Sequence, residues 1–141
     1  MWQRRGESIT KTDSLHSTIT TDYIDGDYVY GIDSFSQLRC LKAENGDRVW
    51  ENLTVTPRER WGTVHLVRNG DRTWLFTERG DLIIAKLTPA GYEEISRAKL
   101  IEPTTQGVGR LVCWSHPAFA YRHVFARNDR ELVCVGLAEN E

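Results

Sequence analysis

Apolar and polar positions along this chain alternate in short bursts, and three of those bursts share one layout. An aromatic-rich strand comes first, then a polar turn, then a short apolar strand. The layout reads GDYVYGIDSFSQLRCL from Gly26, GDRTWLFTERGDLIIAKL from Gly70 and YRHVFARNDRELVCVGL from Tyr121. Leu38, Leu82 and Leu132 occupy matching places, 44 and 50 residues apart. Alternation with period two predicts strands, because successive side chains on a strand point to opposite faces. Leu38 and Cys40 are expected on one face, with Arg39 and Leu41 on the other. In the second repeat Leu82 and Ile84 oppose Ile83, Ala85 and Leu87. Both of its faces are apolar, which suits a strand covered on both sides by neighbouring sheets.

Strand-only repeats of about 40–50 residues are the mark of propeller blades. The fold class expected is therefore all-β, with about three antiparallel propeller-type blades. Their spans are about 16–54, 61–102 and 110–139. Residues 1–15 form a polar leader to the repeats, extended or mobile until something docks it. STITTDYI, from Ser17, reads as the first strand, and Asp25-Gly26-Asp27 as the turn after it. Asn45-Gly46 favours a primed hairpin turn with positive φ. YEEISRAKLI, from Tyr92, has Ile95, Ala98 and Ile101 at helical spacing, but the repeat argues for a strand. Residues 103–109 read as a loop. The third repeat has three strands where the others have four, so an open edge needs a cover.

Length and composition fit one ordinary domain with a real core: 141 residues, 40% hydrophobic and 27% charged. A net charge of −2, from 18 basic and 20 acidic residues, is too even to hold a nucleic-acid backbone. No apolar run is long enough to span a bilayer. MWQRRGESITKTDS lacks the apolar stretch of a secretory signal. The compartment stays open: the cytoplasm, or a longer chain whose signal lies elsewhere. Cys40, Cys113 and Cys134 have no zinc-site spacing and cannot all pair, so they read as small buried apolar residues.

CLKAENGDRVW, from Cys40 to Trp50, resembles the tryptophan-docking repeat of pyrroloquinoline-quinone-like (PQQ-like) β-propellers. Gly46 and Trp50 match that repeat, whereas Lys42 and Asn45 replace its usual acidic residue and threonine. The opening MWQRRGE resembles the tail of a fourth strand from a preceding blade, with Trp2 at the docking position. WSHPAFAYRHVFARNDRELVCVGL resembles the closing blade of such propellers in bacterial exported proteins. The resemblance implies the C-terminal blades of a longer propeller, or a protein of about three blades. Three blades cannot close a ring, so it further implies self-association. Trp2 and its neighbours could then supply the missing strand of the third repeat, in the same chain or the next copy. In the dehydrogenases of that superfamily the quinone sits in a complete ring with calcium and a catalytic aspartate. No matching constellation occurs here, and no cofactor or metal is expected.

The candidate chemistry is sparse. His16, His65, His116 and His123 are not at metal-ligand spacing. His116 is the most suggestive, as a proton donor or ligand at a strand start, or as a side chain bonded to a neighbouring carbonyl. Ser115 and Cys113 form no nucleophile motif with it. Asp25, Asp27, Asp71 and Asp129 fall in turns, where Asx hydrogen bonds explain them. Glu93-Glu94 is no catalytic pair, and Gly107-Val108-Gly109 lacks a dinucleotide-site context. Trp2, Trp50, Trp61, Trp74 and Trp114 sit near strand ends, as inter-blade packing or as a stacking platform.

No catalytic, cofactor-binding or metal-binding residue is assigned, and the chain does not read as an enzyme. The expectation is a non-catalytic β-propeller scaffold or binding module that assembles, through blade faces and strand edges, with copies of itself or with a missing portion of a longer chain; an unknown protein partner stays open, with no nucleic acid and no membrane span. The alternatives are a quinoprotein-like oxidoreductase fragment and a carbohydrate-binding β-domain.

Overall fold

The computed structural model describes residues 1–138, and those residues contain strands, turns and bends but no helix. Thirteen strands make three larger sheets and one extra hairpin. The first sheet runs β1 (Tyr23–Asp25), β2 (Tyr28–Ile32), β3 (Leu38–Lys42) and β4 (Arg48–Asn52), each antiparallel to the next. The second runs β5 (Val64–Asn69), β6 (Arg72–Thr77), β7 (Asp81–Thr88) and β8 (Gly91–Lys99) in the same antiparallel order. A hairpin of β9 (Thr105–Gly107) and β10 (Arg110–Val112) follows. The third sheet holds β11 (Ala118–Ala120), β12 (His123–Arg127) and β13 (Leu132–Gly136).

The first two sheets are copies down to a defect. Leu38 pairs with Asn52 and Leu82 with Ala98. One bulge interrupts β3–β4 between Cys40 and Leu41, and another interrupts β7–β8 between Ile84 and Ala85. Both follow the second residue after the matched leucine.

Alternation sorts the side chains. Tyr30, Ile32, Leu38 and Cys40 of the first sheet bury against Leu75, Ile83 and their neighbours in the second. The next interface is smaller: Phe76, Ile101, Cys113 and Ala126, with Val133 at its margin. The sheets therefore stack face to face in chain order, each offering alternate residues to its two neighbours.

Several expectations give way here. None of residues 17–22 is strand, 18–20 being a bend, and the first strand is only Tyr23–Asp25. Asp22 explains part of this, because it accepts a hydrogen bond from the Ser17 hydroxyl and so folds the segment on itself. The Asn45-Gly46 turn is longer than a primed two-residue loop. Gly46 alone has positive φ, 75°, while the Asn45 side chain caps the Asp47 N–H at 2.9 Å. The stretch 103–109 is no plain loop but carries β9. Residues 110–112 belong to that hairpin rather than to the third sheet, and the end of the span at 139 lies outside the described residues.

Candidate functional site: the two outer sheet faces

A stack of sheets has two ends, and the two ends of this one differ. The leading face of the first sheet is covered by the chain's own opening residues. Trp2 donates its indole N–H to the Ala43 carbonyl at 2.8 Å, at the turn between β3 and β4. Its ring lies over Gly46, where an added Cβ would come within 2.5 Å of the ring carbons. Glycine is thus required twice at this position, for the positive φ and for the close approach. Arg4 reaches the Asn45 carbonyl at 2.9 Å and pairs with Asp47. Farther along, Arg48 pairs with Asp13 at 2.8 Å.

Beneath this cover lies a buried charge cluster. Arg39 is 3% exposed and donates to the Ser14 carbonyl and to Glu51 at 2.8 Å. Its other partner is Asp33, at 3.0 Å from Nη1. Asp33 in turn accepts the His16 backbone N–H at 2.6 Å. Those contacts replace water around a guanidinium that could not otherwise stand in a strand interior. A polar cleft of about 1060 Å³ runs along the seam, with Arg39 and Glu51 in its wall.

Trp50 repeats the gesture of Trp2 one sheet later. It stands on β4 and donates its indole N–H to the Thr88 carbonyl at 2.8 Å, at the turn between β7 and β8. In both cases a tryptophan from the segment in front is fastened to the third-to-fourth-strand turn behind.

The far end is open. Val124 and Ala126 are buried toward the second sheet, whereas Leu132, at 68% exposure, and Cys134 face outward. The matched Leu38 and Cys40 are fully buried. Cys134 therefore corrects the expectation of a third buried cysteine: among the described residues no sheet follows to cover it. The same-chain arm of the strand expectation also fails, since Trp2 docks on the first sheet and not beside β13.

Between the second and third sheets the structure places the polar groups that carry structural weight. Glu78 is 1% exposed and takes both Arg110 contacts, at 2.7 and 2.9 Å. It also accepts the Thr63 N–H at 3.1 Å and the Trp114 indole N–H at 3.2 Å. The paired carboxylate holds the Arg110 guanidinium above its ordinary pKa. The rings of His65 and His116 pack nearby, tilted by 59° with centroids 4.8 Å apart. Burial lowers the His65 pKa; its contact with the Trp114 carbonyl at 3.0 Å opposes this, and His116 adds to it. Neither Asp33 nor Glu78 nor Arg39 stood out in the sequence.

The other candidates fall into place singly. His116 Nδ1 lies 2.6 Å from the Pro117 carbonyl and His123 Nδ1 lies 2.7 Å from that of Tyr121. Cys113 is buried, its thiol pKa is pushed up by that burial, and its sulfur meets the Arg127 carbonyl. Asp25 pairs with Arg68 at 2.8 Å, and Asp129 accepts the Thr105 hydroxyl at 2.8 Å. Trp74 packs on Phe119, and the Arg60 guanidinium covers Trp61. Among the described residues no group of three or more His, Cys, Asp or Glu is arranged to hold a metal ion.

No protein family model matches the chain, and no curated protein does. Among solved structures it is similar to the crystal structure of BamB from Moraxella catarrhalis, at 19% identity and a TM-score of 0.54. The match covers 85% of this chain and 31% of that one, so the chain spans about a third of that protein. The shared feature is the fold: an all-β stack of antiparallel sheets forming part of a β-propeller.

Proposed function

We propose that this chain is a non-catalytic β-propeller module of the PQQ-like repeat type, and that copies of it add sheets to one another. The supporting observation is the parallel between Trp2 and Trp50. Trp50 belongs to the fourth strand of the sheet that precedes its docking turn. Trp2 docks in the same manner, so residues 1–6 stand where the fourth strand of a preceding sheet would stand. A three-stranded sheet whose β13 edge is unpaired and whose apolar face is uncovered among the described residues is the partner such a strand fits. In this reading the opening segment of one copy completes the third sheet of the next. The contact is heterologous, and two copies would supply six sheets. Protein binding is the activity such a surface supports.

Sedimentation of the purified chain tests the reading. The expected particle has at least twice the chain mass. Leu132→Lys alters a side chain already in water, so it should leave the fold intact and release single chains. A compact, stably folded monomer of the unaltered chain overturns self-assembly.

A further inference from the structure

The first hairpin of each sheet closes on two residues, and the third sheet breaks the rule of the other two. β1–β2 turns on Gly26-Asp27 and β5–β6 on Gly70-Asp71, with glycine φ values of 59° and 64°. β11–β12 turns on Tyr121-Arg122, with φ values of 51° and 59°. Two successive positive values define the type I′ turn, which Asn-Gly enters freely. Left-handed backbone crowds a Cβ, and bulky side chains rarely adopt it. Packing does not offset the strain, because Tyr121 is 93% exposed. Among the first hairpins of the three sheets this one alone keeps two bulky residues in that backbone, a strain that Val108 shares only at the separate β9–β10 tip; such outliers cluster at binding sites.

The tip borders a cleft of about 350 Å³ between the second and third sheets. Trp74 and Phe119 line it, tilted against each other with centroids 4.5 Å apart. Val67 and Leu137 add apolar wall. The titratable groups at its margin are Tyr121, Arg68, Arg122 and His123; among the described residues no carboxylate lines it. Arg68 already faces Asp25, which leaves Arg122 as the less committed cation. An aromatic, cationic cleft without acids complements an apolar group that carries negative charge.

We propose that this cleft receives an extended segment of another protein in which an aromatic side chain stands beside a carboxylate. The ring packs among Trp74, Phe119 and Tyr121, and the carboxylate meets Arg122. Phe119 pairs with buried Val124 on the face turned to the second sheet. The site is thus separate from the outward face that carries Leu132, and either can fail without the other.

Fluorescence polarisation on the full chain, with a labelled peptide alternating Phe and Asp, tests the proposal. A Phe/Lys peptide of equal length and a panel of neutral oligosaccharides serve as comparators. Saturable binding of the acidic peptide alone is expected. Tyr121→Asn/Arg122→Gly should weaken it by at least about tenfold and also raise the melting temperature, because the turn is relieved of strain. Arg122→Glu should weaken it with the melting temperature unchanged. The proposal is overturned by equal affinity for the lysine peptide, by affinity unchanged in the Asn-Gly variant, or by no binding up to about 1 mM. Binding of the oligosaccharides in place of the acidic peptide overturns it too.

Discussion

The junction between the first and second sheets and the junction between the second and third do the same job by different means. The first is apolar: ten buried residues of the two sheets and Val55 of the connecting segment form one cluster, closed on its outer side by Trp50. At the second, the contiguous apolar cluster has only four buried members. Its cohesion comes instead from Glu78, Arg110, Trp114 and the packed pair of histidines. The hairpin β9–β10, inserted between the sheets, delivers Arg110 to that carboxylate. Ser96, at the register place matching Trp50, cannot dock as an indole does. An apolar junction loses strength by area, gradually. A polar one depends on each member, because removing one strands the others.

That contrast orders the expected damage. Glu78→Leu should do most, about 3–4 kcal/mol, since it leaves the Arg110 charge, the buried Thr63 N–H and the half-buried Trp114 indole N–H without their acceptor. Urea denaturation would measure the loss. Hydrogen exchange should place it in the third sheet while the first stays protected. Uniform loss of protection would mean that the two junctions are one cooperative unit. Trp50→Ala should cost about 2–3 kcal/mol at the first junction. Trp50→Phe should cost about 1 kcal/mol by keeping area and dropping the hydrogen bond. Equal losses for the two variants would contradict the description of that junction as apolar.

The smallest effect is in pH. The His65 pKa is lowered in the folded chain, so the unfolded chain takes up the proton first as pH falls. Its contribution is whole above about pH 6.5 and declines below it, by at most about 1.4 kcal/mol per pH unit. Thermal melts between pH 5.5 and 7.5 should show that slope, and His65→Gln should flatten it. A slope unchanged in the variant would assign it to other groups.

What could be read from sequence depended on whether a residue's role is local. The alternation around Leu38 and Leu82 sets the faces of β3 and β7 directly, because period two is a property of the strand itself. YEEISRAKLI was ambiguous for the same reason: Ile95, Ala98 and Ile101 satisfy a helix, and only the partner β7 makes the segment β8. β9–β10 was hidden because Val108, between two glycines, looks like loop and is indeed exposed. Asp33, Glu78 and Asn128 carry no recognisable motif, yet all three are buried. A signal did exist. Each lies in the turn after its aromatic strand, and a polar residue recurring there in all three repeats asks for a shared partner. Cys134 shows the converse limit, since burial depends on a neighbour that its own sequence cannot supply.

The bulges at Cys40/Leu41 and Ile84/Ala85 act as a surveyor's datum for the repeat. On the leucine side of that mark the first two sheets agree residue for residue. Beyond it they diverge: β3 ends at Lys42 before a wide loop, while β7 runs on to Thr88 and a tight Pro89-Ala90 tip. Length is therefore constrained on one side and free on the other. That freedom stops at Thr88, whose carbonyl holds the Trp50 indole, so a foreign loop spliced at the Pro89-Ala90 tip would have to leave that residue in place.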